Sequence, residues 1–129
     1  MGDVGSGKTV VAALAMLNVL ENDYDSVLLA PTEILAEQHY KGLRKLLADI
    51  PNVNIVLFTR TNKYIVNTSE DESIKLTKKK MLEYLNNDEK KIIIGTHSLI
   101  QDDVNFRKVA LIIVDEQHRF GVKQRESIK

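Results

Sequence analysis

Four short apolar runs, each followed by polar residues, set the pattern of the chain. They occupy residues 26–30, 53–58, 91–95 and 111–114. Runs of this length that are almost wholly apolar are typical of strands that are covered on both faces of a sheet. We therefore expect four buried strands, with the polar residues that follow them gathered at the carboxyl ends of the strands.

Before and between these strands, apolar residues recur at the spacing of an α-helix. The first helical segment follows residue 9, the second has Thr32 as its N-cap, and the third begins at a capping-box sequence over residues 69–72. Their expected apolar faces consist of Val10, Val11, Leu14, Leu17 and Leu20; of Ile34, Leu35, Leu43, Leu46 and Leu47; and of Ile74, Met81, Leu82 and Leu85. Strands that alternate with helices predict a layered α/β domain with a mostly parallel sheet.

Polar stretches separate these elements. Residues 60–71 show no periodicity and are expected to form a loop. Residues 78–80 are three lysines, which we expect on a solvated face of the third helix. Turns are expected at residues 22–25 and 51–52, and residues 86–88 should end the third helix.

Composition narrows the class of protein without identifying a function. The chain has 129 residues, enough for one domain with a core, and its 43% hydrophobic and 28% charged residues are ordinary for a globular protein. A formal net charge of zero neither supports nor opposes nucleic-acid binding, so such a site would be a local patch. The chain has no cysteine, no apolar run that could span a bilayer and no signal-peptide layout, which suits a cytoplasmic protein without a membrane partner.

The N-terminal stretch fits the phosphate-binding P-loop pattern, which is Gly, four residues, then Gly-Lys-Thr. It reads Gly2-Asp3-Val4-Gly5-Ser6-Gly7-Lys8-Thr9. Glycines allow a tight turn, after which the amides of residues 5–8 converge on an anion at the start of a helix. Lys8 would then reach the β- and γ-phosphates of ATP, and the Thr9 hydroxyl would bind Mg²⁺. The alternative is a glycine-rich turn that matches by chance.

The strand over residues 111–114 ends in two carboxylates, Asp115 and Glu116, which suit the second half of an ATP site. Asp115 would hold Mg²⁺, directly or through water, opposite Thr9. Glu116 would orient and deprotonate the attacking water. Two such carboxylates alone are equally compatible with a solvated strand end, but the P-loop upstream favours the catalytic interpretation.

Four blocks of sequence resemble motifs of RecG-type DNA helicases and occur in the order of that family. They are residues 2–9; residues 30–39, Ala-Pro-Thr-Glu-Ile-Leu-Ala-Glu-Gln-His; residues 94–101, Ile-Gly-Thr-His-Ser-Leu-Ile-Gln; and residues 115–125, Asp-Glu-Gln-His-Arg-Phe-Gly-Val-Lys-Gln-Arg. Proteins of this family are superfamily 2 ATPases that move on duplex DNA and remodel branched junctions such as stalled forks. The resemblance implies a RecA-like P-loop NTPase fold, ATP and Mg²⁺ as cofactors, and branched or duplex DNA as a partner.

The resemblance also assigns roles to residues that follow the strands. The positions where such motors contact the DNA backbone correspond to Thr32, Thr59, Thr96 and His97. Gln117 and His118 fall where the family links its ATP site to DNA and to a second RecA-like lobe. Short hydroxyls and backbone amides suit phosphate contacts, which position DNA without reading its sequence. For the two histidines, a hydrogen-bonded side chain at a strand end is the alternative.

Some positions depart from the family pattern. The family usually has Thr-Gly after the second strand, where this chain has Thr59-Arg60, and the polar stretch 60–71 is longer. Transcription-repair coupling translocases share several of these motifs but usually have Asp-Glu-Glu-Gln where this chain has Asp-Glu-Gln-His, which favours the RecG type. A non-catalytic nucleotide-binding fragment is the alternative from a different class.

The sequence starts one residue before the P-loop and ends soon after the last block, so we expect it to be part of a first RecA-like motor lobe. The strand before the P-loop, the strand after residues 115–125, the second lobe and a junction-binding domain would then lie outside it. Residues 111–114 should accordingly form an open edge of the sheet. We expect the isolated chain to be marginally stable or to self-associate, and to be inactive as an ATPase.

Overall fold

The computed structural model describes residues 2–70, 72–97 and 106–115, and it describes side chains from residue 10 onward. The elements are α1 (Gly2–Glu21), β1 (Asp25–Ala30), α2 (Glu33–Leu46), β2 (Asn54–Phe58), β3 (Lys63–Asn67), β4 (Ile74–Lys75), α3 (Lys78–Leu85), β5 (Ile92–Thr96) and β6 (Val109–Val114). Within this part of the chain, no helix is long and apolar enough to cross a membrane.

The strands form one sheet in the order β4-β3-β2-β5-β1-β6. β2, β5, β1 and β6 are parallel to one another, whereas β3 and β4 continue the sheet in antiparallel fashion. The positions of the four predicted strands and the mostly parallel sheet are thus confirmed, and β6 lies at an edge as expected. The expected burial is wrong for β6, whose alternate residues are exposed. The register between β1 and β6 shifts at one place, because Asp25 lies opposite Val109 while Ser26 lies opposite Leu111.

Helices cover both faces of the sheet. On one face, Met16 of α1 and Tyr40 and Leu43 of α2 pack against the apolar residues of β1, β2 and β5. On the other face, Met81 and Leu85 of α3 pack against the alternate residues of the same strands. Complete burial of an aliphatic side chain contributes about 1.5–3 kcal/mol, so these contacts are a large part of what holds the layers together.

The buried faces of α1 and α2 differ from the predicted ones. In α1, Ala13 and Met16 are buried, while Val11 and Leu14 are 68% and 61% exposed. Residues 10–17 are apolar on almost every side, so helical spacing could not identify which face packs. In α2, Ile34 is exposed and Tyr40 is buried, because the tyrosine ring fills the space above β2 and β5 and its hydroxyl meets Ser73 at 3.0 Å.

The polar stretch 60–71 was predicted to be a loop, and this prediction is wrong. Residues 63–67 form β3, which pairs with β2 across a tight turn at residues 59–62. β3 is half-buried near the sheet edge, and its apolar run is only three residues long, from Tyr64 to Val66, between Lys63 and Asn67.

The start of the third helix was also predicted wrongly. Ile74 and Lys75 extend the sheet as β4, and α3 begins only at Lys78. Thr77 is its N-cap, because its hydroxyl accepts a hydrogen bond from the backbone N–H of Lys80. The three lysines at 78–80 are exposed, as expected of a solvated face, and Asn86 ends the helix as predicted.

A buried cluster of charges joins β1, β5 and β6 at their amino ends. Asp25 Oδ1 accepts hydrogen bonds from Arg107 Nη2 at 2.9 Å and from the backbone N–H of Lys91 at 3.1 Å, and Lys91 Nζ lies 3.7 Å from Asp25 Oδ2. Burial lowers the pKa of Lys91, although the Asp25 carboxylate acts in the opposite direction. Burial also opposes the charge of Arg107, but its hydrogen bond and attraction to Asp25 together outweigh burial and raise its pKa.

Candidate functional site

Several residues predicted to be functional lie along the edge formed by the carboxyl ends of the parallel strands. Thr32 follows β1, Thr59 follows β2, Thr96 ends β5 with His97 next to it, and Asp115 follows β6. These strands are hydrogen-bonded neighbours, so the sheet brings together residues that are far apart in the sequence. Ligands in open α/β sheets bind at such an edge.

Asp115 continues the ladder of β6 by one hydrogen bond, from its backbone N–H to the carbonyl oxygen of Leu29 at 2.8 Å. Its side chain is 9% exposed, and its Oδ2 lies 2.7 Å from Nε2 of His39, whose side chain is 20% exposed. A carboxylate has no proton to give, so His39 Nε2 is the donor. His39 lies in the middle of α2, and the contact therefore fixes that helix to the end of β6.

Sequence reasoning did not assign a role to His39. The only signal was its position seven residues after Thr32, which places both residues on the same side of a helix. That spacing does not indicate that the end of β6, 76 residues further on, meets this side.

The predicted DNA-contacting residues differ in their accessibility. Thr32 is exposed and caps α2, because its Oγ1 accepts a hydrogen bond from the backbone N–H of Leu35 at 3.2 Å. His97 is also exposed. Thr59 is fully buried and its hydroxyl bonds within the turn at 59–62, and Thr96 is buried as well. Of these four side chains, Thr32 and His97 are therefore the ones at the surface.

The turn between β2 and β3 is fastened to α2 by two carboxylates. The Thr61 hydroxyl donates to Glu33 Oε1 at 2.5 Å, and the Asn62 amide donates to Glu37 Oε2. Arg60, where the family usually has glycine, is exposed at the tip of this turn. The first two turns of α2 and the β2–β3 turn consequently form one connected surface at the carboxyl edge.

The predicted phosphate-binding loop is helical in this structure. α1 starts at Gly2, so the amides from Ser6 onward bond to carbonyl groups four residues earlier and do not converge on an anion. Each glycine costs about 1 kcal/mol relative to alanine inside a helix, so the helical form of Gly2, Gly5 and Gly7 is only weakly favoured.

The side chains of Lys8 and Thr9, and all of Glu116, Gln117 and His118, lie outside the described residues. Asp115 is therefore the predicted ATP-site side chain whose position is described. Its fit to Mg²⁺ rests on its chemistry, since hard carboxylate oxygens at a strand end are the ligands that Mg²⁺ prefers. One of these oxygens is held by His39, as ligating carboxylates commonly are.

A mostly parallel sheet between helices, with its polar residues at the carboxyl edge, is the architecture of a RecA-like α/β domain. The sequence profile of the family described as "DEAD/DEAH box helicase" matches residues 1–129, and the chain belongs to this family.

Relatives within the family are more specific. The chain is 46% identical over 128 residues to "ATP-dependent DNA helicase RecG" of Streptococcus pneumoniae serotype 4, covering 99% of this chain and 17% of that protein. It is 49% identical over 129 residues to the protein of the same name from Staphylococcus aureus, again covering 99% of this chain and 17% of the relative. The chain thus spans about 17% of the length of the curated relatives it matches.

A solved structure gives the same result. "Structure of RecG bound to three-way DNA junction" aligns with a TM-score of 0.69 and 36% identity, over 89% of this chain and 14% of that chain. The RecG-type resemblance and the RecA-like fold expected from the sequence are therefore confirmed, and these relatives favour RecG over the coupling translocase.

Proposed function

We propose that the gene product containing this chain is an ATP-dependent DNA helicase that remodels branched DNA, with this chain as the ATP-binding part of its first motor lobe. The observation that carries the proposal is the position of Asp115. It lies at the same edge of the sheet as Thr32 and His97, so a carboxylate suited to Mg²⁺ and residues suited to a phosphate backbone are neighbours. The RecG relatives support the choice of DNA and of ATP.

In this proposal each residue of the ATP site has a separate role. Residues 2–7 leave the helical form and turn their amides towards the phosphates, and Lys8 supplies a fixed positive charge beside them. Thr9 and Asp115 hold Mg²⁺, which neutralises charge on the phosphates when it is bound. Glu116 orients the attacking water and accepts its proton.

The proposed contacts to DNA are made to its backbone and do not depend on base sequence. Thr32 is exposed at the N-terminus of α2, where hydroxyl and amide groups suit a phosphate. His97 lies at the end of the neighbouring strand β5. Gln117 and His118 follow Asp115 and Glu116 in the sequence and would couple DNA binding to the ATP site and to the second RecA-like lobe.

ATP hydrolysis by the complete gene product, with and without branched DNA, tests this function. Lys8→Ala should lower the rate by about 10²-fold or more, because the developing charge loses its counter-charge. Glu116→Gln should bind ATP but not turn it over. Lys78→Ala is the matched control, since this lysine is exposed on α3, and it should keep the parental rate. Parental hydrolysis by Glu116→Gln would remove Glu116 from the mechanism.

The coupling of DNA binding to ATP hydrolysis is tested separately. His118→Ala should reduce the stimulation of hydrolysis by branched DNA more than it reduces nucleotide binding. If branched DNA stimulated ATP hydrolysis equally in the variant and the parent, His118 would have only a structural role. Comparing ATP turnover of the isolated chain with that of the complete gene product decides whether this chain by itself only binds nucleotide.

A further inference from the structure

Helix α2 connects two parts of the proposed site. Thr32, a proposed DNA contact, caps its N-terminus, and His39 bonds to Asp115, the proposed Mg²⁺ ligand. We propose that His39 is a positioning residue that holds Asp115 in the orientation for Mg²⁺, and that α2 links this contact to the residues at its N-terminus. The inference rests on the proposed function, because it assigns a role within the same ATP site.

The contact restricts the carboxylate of Asp115. The Nε2–H of His39 donates to Oδ2 at 2.7 Å, so rotation of the carboxylate would break a short hydrogen bond. A carboxylate can accept about four such interactions, so this bond does not use up the oxygens that Mg²⁺ needs. Holding a ligating carboxylate lowers the cost of ordering it when the metal binds.

His39 is itself held in place by the packing of α2. Its neighbour Tyr40 is buried, and the Tyr40 hydroxyl and the Arg44 guanidinium both bond to Ser73 at 3.0 Å. Towards the N-terminus, Glu33 and Glu37 bond to the β2–β3 turn. The helix is thus fastened on both sides of His39, and the backbone of His39 is held in place beside Asp115.

These contacts of α2 also connect the proposed DNA contact at Thr32 with the proposed Mg²⁺ site at Asp115. Thr32 caps the helix and lies seven residues before His39, which is about 10 Å along a helix axis. A hydrogen-bonded helix moves as one body, so a displacement at Thr32 also displaces His39. DNA bound at the N-terminus of α2 would therefore change how firmly Asp115 is held.

Metal binding without turnover tests the proposal. The complete gene product is titrated with Mn²⁺ in the presence of a non-hydrolysable ATP analogue, and free Mn²⁺ is followed by electron paramagnetic resonance. His39→Asn should weaken Mn²⁺ binding by about tenfold or more, because its shorter amide does not reach Asp115. His39→Gln should restore most of the affinity, since its longer amide can donate from nearly the position of Nε2. Lys41→Asn is the control, because this residue is exposed on the same helix.

The second measurement is a double-mutant comparison with Asp115→Asn. If His39 acts through Asp115, adding His39→Asn to Asp115→Asn should weaken Mn²⁺ binding little further. Equal Mn²⁺ affinity of the parent and His39→Asn, or additive losses in the double variant, would overturn the proposal. A parent protein that binds neither nucleotide nor branched DNA would instead refute the proposed function, so the two failures are distinguishable.

Discussion

Replacing Asp25 by Asn should destabilise the protein by about 3–5 kcal/mol, the usual cost of removing one partner from a buried ion pair. The Asp25 and Lys91 side chains are completely buried, and that of Arg107 is 10% exposed. The amide oxygen of Asn still accepts the hydrogen bond from the backbone N–H of Lys91, so the loss comes from the charge that faces Lys91 Nζ and Arg107. Since Lys91 Nζ is 3.7 Å from Oδ2 and is not hydrogen-bonded to it, we expect the lower half of the range.

Urea unfolding followed by circular dichroism measures this loss. With a slope of about 2 kcal/mol per molar urea, the midpoint should fall by roughly 1.5–2 M. Asp23→Asn is the matched control, because Asp23 contacts the same Arg107 at 3.3 Å but its side chain is 61% exposed. Asparagine also tolerates the positive φ of 70° at this position. The control should leave the midpoint nearly unchanged, since exposed ion pairs contribute little.

Two outcomes would refute this reasoning. Equal midpoint shifts for Asp25→Asn and Asp23→Asn would mean that burial does not decide the energy of the cluster. Failure of Lys91→Met to recover stability in the Asp25→Asn background would mean that an unpaired ammonium is not the cause, because apolar replacement of a buried charge is often neutral or stabilising.

Three further predictions concern other parts of the molecule. Burial raises the pKa of Tyr84 above its ordinary 10.0, so above pH 10 the folded protein keeps a proton that the unfolded chain loses. The contribution of Tyr84 to stability should therefore be complete below pH 10 and fall above it. Urea midpoints measured against pH should show a smaller fall for Tyr84→Phe. Gly7→Ala should stabilise α1 by about 1 kcal/mol and weaken ATP binding, and both are measurable, by circular dichroism and by nucleotide titration. Ile112→Lys, on the exposed face of β6, should reduce self-association of the isolated chain in sedimentation without lowering its melting temperature.

The parts of the fold that were predicted correctly are those determined by local composition. The strands β1, β2 and β5 are apolar because they lie in the middle of the sheet, and this burial is visible in the sequence. β6 is equally apolar, although it lies at an edge and every second residue is exposed. β3 was missed because its apolar run is only three residues long and lies within a polar stretch. The packed face of α1 was missed because the helix is apolar almost all round.

The candidate site was predicted as a set of residues but not as a set of contacts. That Asp115 and Thr32 share an edge follows from parallel strands, which the alternation of strands and helices implies. The burial of the Thr59 hydroxyl depends on a turn that sequence reasoning did not find. The bond between His39 and Asp115 depends on which strands are neighbours, and short motifs do not encode this order.

The register shift at the start of β6 determines which way the Asp115 carboxylate faces. Ala110 is an additional residue on β6, and after it Leu111 and Ile113 point to the α1–α2 side of the sheet. Asp115 is next in that alternation, which is why it meets His39 on α2. If the strand were regular and Ala110 lay opposite Ser26, every later side chain would face the opposite side and the carboxylate would point towards the α3 side. The direction of the carboxylate therefore depends on the bulge and not on the side chain of Ala110, which is exposed.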